Sequence, residues 1–196
     1  MKFKGFAFCV LVLGSVVFLI EGCNGHLGSA DEKKYDSLFL GISLGMDKKA
    51  FYDHCWEYNR RKIFTHGPTN QNVEYHLVGE TKSPVMMRFY PTFEDDKIYE
   101  MPVTFTYEAW APWNKQFTAD SLLVDLVPVF KRWYGDDFQV VDHVTMGKIY
   151  VRMDGKRRIN LFIKDDQFVQ AVFTDLSVEK KKKEKLKQQS GEQPTN

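Results

Sequence analysis

Cysteine is scarce. Of three, Cys9 lies in an apolar N-terminal run, Cys23 follows that run, and Cys55 alone falls in the body of the chain. A disulfide within the body is therefore excluded, and the fold must hold by packing alone. An excess of charge of either sign is also lacking. The N-terminal segment carries about +1, residues 24–178 about −3 and the end from Glu179 about +3, for +1 overall. A nucleic-acid binder needs a basic patch on its folded part, so no nucleic-acid partner is expected. The longest apolar run, Phe6 to Ile20, is short of the roughly 20 residues that span a bilayer. Signatures of catalysis are absent as well: no G-x-S-x-G, no G-x-x-x-x-G-K-[ST] and no H-E-x-x-H occurs, and Gly41 and Gly45 read as backbone turns.

What is present is enough to fold. With 43% hydrophobic and 15% aromatic residues, the chain is too apolar for a mainly disordered protein. Setting aside an N-terminal export segment leaves a length suited to one domain or two closely packed halves. That segment is the strongest signal. Lys2 and Lys4 precede the Phe6–Ile20 run, a charged start and an apolar core as in a secretory signal.

The run ends Leu19-Ile20-Glu21-Gly22-Cys23, which resembles a bacterial lipobox: an aliphatic residue three before the cysteine, then a small residue, then the cysteine. Glu21 departs from the pattern, which has a small or aliphatic residue there. The resemblance implies a signal peptide over 1–22 and a mature protein that begins at Cys23, acylated by palmitate-class lipid. Residues 23–36, small and polar, then read as a flexible tether.

A single domain is expected over 37–178, with a basic, disordered tail over 179–196, the lysine-rich start of which reads as a frayed helix end or a contact for anionic lipid. Within the domain, Leu38–Gly45 is extended, and Asp47 stands as N-cap for a helix over 48–60 with Phe51, Cys55 and Tyr58 on one face. Alternation predicts strands around Val73–Leu77, Val85–Phe89 and Val103–Tyr107, with Pro102 forcing an irregularity in the last. A second helix starts at Thr118, carries Pro128 inside it and stops at Gly135. Four more strands follow at 138–143, 148–153, 157–163 and 168–174, with Asp154-Gly155 as a type I′ turn.

Helix then strands, twice, gives the expected fold class: α+β, one antiparallel sheet built from two halves, about 37–117 and 118–178, with helices packed on one face. The stretch Gly41-Ile42-Ser43-Leu44-Gly45-Met46-Asp47-Lys48-Lys49 resembles the opening of small envelope lipoproteins of the SmpA/OmlA (BamE) type, and the tandem element order resembles the β-lactamase-inhibitor-protein fold. The first resemblance implies a scaffold for other envelope proteins, the second an inhibitor.

Candidate chemistry is sparse. His54, His66 and His76 are weighed as a metal site, but scattered positions favour none, and neither metal nor cofactor is expected. The pairs Asp95/Asp96, Asp136/Asp137 and Asp165/Asp166 fall between elements, where aspartate serves turns. Cys55 reads as a small buried hydrophobe. Trp110 and Trp113, separated by Ala-Pro, either close the core between the halves, the preferred reading, or project as anchors for a partner or a sugar ring. The expectation is a non-enzymatic, lipid-anchored module of a bacterial cell envelope, periplasmic or surface-facing, that binds or assembles with an envelope protein. The alternatives are a small-ligand or glycan-binding lipoprotein using Trp110 and Trp113, and an enzyme of unseen type.

Overall fold

A computed structural model describes residues 35–67 and 71–189. The expected signal peptide over 1–22, Cys23 and most of the expected tether lie outside them. The first helix, α1 (Lys48–Arg60), leads into β1 (Phe64–His66), β2 (Val73–Leu77), β3 (Val85–Phe89), β4 (Thr92–Glu94) and β5 (Lys97–Tyr107). The second, α2 (Ala119–Tyr134), leads into β6 (Gln139–His143), β7 (Gly147–Asp154), β8 (Arg157–Ile163) and β9 (Val169–Asp175), and α3 (Leu176–Gln189) ends the described chain. All nine strands form one antiparallel sheet in the order β1-β2-β3-β5-β9-β8-β7-β6, with β4 paired to β5. The last strand of each half meets the other at the centre, Met101 opposite Phe173 and Phe105 opposite Val169.

Alternation puts one face in the core. The row Phe64, Tyr75, Met87, Phe105, Val169 and Ile163 crosses six strands on that face. Both α1 and α2 cover it: the Tyr58 ring lies 4.9 Å from Phe64, and the Phe130 ring lies 5.8 Å from Phe105 and 6.2 Å from Phe173. The fold is thus α+β.

Several local expectations need correction. Asp47 precedes α1 but makes no side-chain cap; its carboxylate takes a hydrogen bond from Lys97 Nζ at 3.0 Å instead. Thr118 does cap α2, accepting from the Ser121 N–H. Pro128 does not break α2, because Val124, whose carbonyl loses its helical donor, is 71% exposed. Pro102 stays in the ladder to β9 opposite Val172; on the other side, pairing with β3 stops at Val103 and pairing with β4 at Glu100. The β7–β8 turn is Gly155-Lys156, one residue later than expected, and only Gly155 has positive φ, which excludes the I′ geometry. The residues from Leu176 to Gln189, expected to be largely a disordered tail, are helical. Asp175 Oδ1 accepts from the Ser177 and Val178 N–H groups, and Glu179 pairs with Lys183 one turn on.

The seam between the halves is closed by the opening segment. Residues 36–44 turn back on themselves through Leu40 and Gly41, both at positive φ, with the Leu38 N–H bonded to the Ile42 carbonyl. The Phe39 ring then sits 5.0 Å from Phe89 of the first half and 5.8 Å from Phe173 of the second. Charges fix this plug: Arg157 donates to the Ser37 carbonyl and pairs with buried Asp154 at 2.7 Å, and Lys156 bridges Asp36 (3.2 Å) and Asp175 (3.3 Å). Burial pulls the Lys156 ammonium down, but Asp175 and Asp36 outweigh it and leave its pKa raised.

Candidate functional site

The sheet face opposite α1 and α2 carries neither of those helices. Its composition follows from the same alternation: every residue between two core positions points there. Pairing aligns one unbroken row across seven strands, Glu74, Arg88, Thr104, Gln170, Phe162, Ile149 and Val141. Its character changes along its length. At the β2 end, Arg88 Nε donates to Glu74 at 2.6 Å, and one step up the strand His76 Nδ1 meets Glu108 at 2.6 Å. At the β6 end the row is apolar, and Ile149, though only 7% exposed, lies outside the main core cluster. Val151 in the next row and Met153, 64% exposed, extend this apolar side. The side finishes on β6, an edge strand whose five residues are all exposed.

Beside this row lies a buried polar cluster. Arg158 and Thr174 are directly paired and Asn160 is two residues along β8. Arg158 Nε, Asn160 Oδ1 and Thr174 Oγ1 are each buried and meet no partner among the described residues. Buried polar atoms are usually satisfied; here Thr174 is fully buried and Arg158 pairs with Glu179 of α3, so this centre lies against α3 and not on an open surface.

The predicted site residues separate. Trp110 is half-buried against the core cluster, whereas Trp113 is 82% exposed. The preferred reading, in which both close the seam, is therefore corrected. The loop that holds them follows β5, at the opposite end of that strand from the plug, and is fixed by Trp110 N–H to Tyr107 O (3.1 Å) and Asn114 N–H to Ala111 O (2.8 Å). Its single exposed indole offers a contact but not a paired aromatic clamp. Trp56 on α1, 72% exposed, escaped notice, although at five residues from Phe51 it falls off the buried helix face.

The histidines do not converge. His54 Nε2 bonds to the Leu40 carbonyl at 2.8 Å and His76 to Glu108, and no three metal-ligand side chains are grouped among the described residues. The aspartate pairs serve turns: Asp95 and Asp96 both take positive φ between β4 and β5, and Asp165 Oδ1 accepts from the Gln167 and Phe168 N–H groups. Half-buried Cys55 has its thiol pushed up to about 12 by burial, which makes it a poor nucleophile. On the helix side, a cleft of about 390 Å³ opens between Leu38–Leu40, Tyr75, Leu77, Val78 and Met87 on one side and Trp133 and Tyr134 on the other, with Glu80 at its rim held by Arg132. No helix among the described residues is long and apolar enough to cross a membrane. No family model matches the chain, and neither a curated protein nor a solved structure matches it.

Proposed function

We propose that this chain is an exported, lipid-anchored and non-catalytic module that binds another protein of the bacterial envelope through the part of the far sheet face, towards β7 and β6, that no helix among the described residues contacts. The observation that carries the reading is the seven-strand row running from ion pairs to an apolar patch and ending on an open edge strand. Interfaces combine these elements: an apolar area, a polar surround, and unpaired backbone that an extended segment can join. The anchor is proposed on Cys23 from the lipobox-like sequence. If Cys23 bears the lipid, Cys23→Ala leaves the chain unprocessed or soluble; membrane attachment with an unchanged mass excludes the anchor.

The test of the face is site-directed photocrosslinking in the cell of origin. A photoreactive residue at Val151 or Val141 should give a discrete adduct with a protein, whereas one at Lys62, remote from this face, should not. Val151→Lys should remove the adduct formed from position 141 while leaving the melting temperature within a degree or two. Adducts at position 62 equal to those at 141 and 151 would refute the assignment.

A second reading, a small-ligand lipoprotein, draws on the helix-side cleft, whose mostly apolar lining and charged rim suit an apolar molecule with one polar end. Quenching of Trp133, 36% exposed beside that cleft, by a fatty acid would support it. Unchanged fluorescence in a Trp56→Phe/Trp113→Phe background would exclude it.

A further inference from the structure

We infer that α3 is a headgroup-binding helix, its exposed lysines resting on the anionic surface of the bilayer that holds the anchor; this takes the proposed lipid on Cys23 as given. The helix has six lysines against two glutamates, while residues 35–175 have three more acidic than basic residues. It buries no side chain, so the core gives no reason for its length.

Its first two turns are nevertheless held firmly. Arg158 pairs with Glu179 at 3.3 Å, and Lys182 reaches the Glu94 carboxylate and the Tyr99 hydroxyl, both at 3.0 Å, with its ammonium 4.2 Å from the centre of the Tyr99 ring. These contacts orient the rest. Lys180, Lys181 and Lys185 are exposed and meet no carboxylate among the described residues.

Position supplies the occupant. Lys156 touches both Asp36, where the described chain begins, and Asp175, where α3 starts, so the tether and the basic helix leave the domain at one point. The twelve residues from Cys23 to Lys34 reach at most about 40 Å when extended, and α3 is about 21 Å long. A tether of that reach is short enough to hold α3 near the headgroups and slack enough to let the helix lie on them. A single acyl signal is often reinforced by a polybasic segment, and each lysine near an anionic surface strengthens attachment about fivefold.

The test reconstitutes the full lipidated chain into vesicles of phosphatidylcholine alone or with 30% phosphatidylglycerol at 50 mM salt. Lysine acylation by a water-soluble reagent is then mapped by mass spectrometry, with exposed Lys62 and Lys115 as internal standards. Acylation of Lys180, Lys181 and Lys185 should be about tenfold slower on the anionic vesicles, and 0.5 M salt should abolish the difference. In Lys180→Gln/Lys181→Gln/Lys185→Gln, Lys183 should be acylated equally on both. Equal rates for the native helix on the two surfaces, or protection that persists in salt or in the triple variant, would overturn the inference. A chain that does not float with neutral vesicles lacks the anchor; flotation with the anionic ones, lost on the triple substitution, would then still decide the role of α3.

Discussion

Gly135 shows how tightly one position can be specified. Its φ is +102, and a Cβ built there would lie 3.1–3.2 Å from the Arg152 guanidinium, which is itself held by Asp154 and Asp137. Gly135→Ala should therefore destabilise by about 1–3 kcal/mol, combining backbone strain with displacement of a paired arginine; a denaturant midpoint unchanged from wild type would contradict this. Cys55 makes a different prediction. Its pKa rises from an ordinary value near 9 to about 12 on folding, so the native state favours the protonated thiol. That contribution is complete below about pH 9 and is lost as pH climbs toward 12. The melting temperature should fall across this window, and fall less in Cys55→Ala. At pH 8.5 the folded thiol should react with iodoacetamide at least about tenfold more slowly than in urea.

The elements legible in the sequence were those with enough length for a period to show. Val85–Phe89 alternates buried and half-buried as its residues suggest, and α2 carries Leu122, Leu126 and Phe130 on one buried stripe between a capping threonine and a stopping glycine. Strands β1 and β4 have three residues each, too few for a period, and exist because neighbours supply their hydrogen bonds. The candidate face was hidden for another reason. Glu74, Thr104, Gln170 and Phe162 are each unremarkable outward-facing strand residues, and only the register between strands makes them a row. Trp110 and Trp113, three positions apart with Ala-Pro between them, stand out in sequence, but a turn in the backbone sends one ring inward and leaves the other in solvent. Within α2, Pro128 is exposed, so Pro128→Ala should restore a helical hydrogen bond without opening a cavity. The expected gain is about 1–3 kcal/mol, read as a rise in melting temperature; a fall would mean that the ring has a packing role.

At the scale of the molecule, the two halves share one core and one sheet, and the Phe39 plug belongs to both. Phe39→Ala should cost about 2–3 kcal/mol, less than a fully buried phenylalanine because the ring is only partly enclosed, and should preserve a single cooperative transition. Trp113→Ala should change stability by no more than about 0.5 kcal/mol. Calorimetry of the two variants checks both: two separated transitions in Phe39→Ala would contradict a core shared by the halves, and a large drop in Trp113→Ala would contradict the exposure of that indole. The plug also sets an order of events. Phe39 lies near the start of the domain, yet one of its two aromatic neighbours is Phe173, in the last strand of the sheet. A chain delivered N-terminus first cannot complete that contact until nearly all of it has arrived, and the charge bridge from Asp36 through Lys156 to Asp175 waits for the same residues. Closing so long a loop is slow, because the entropy of joining distant segments is lost before their contacts repay it. The fold therefore contains its own delay: the opening segment stays unlocked until the final strand of the sheet is in place.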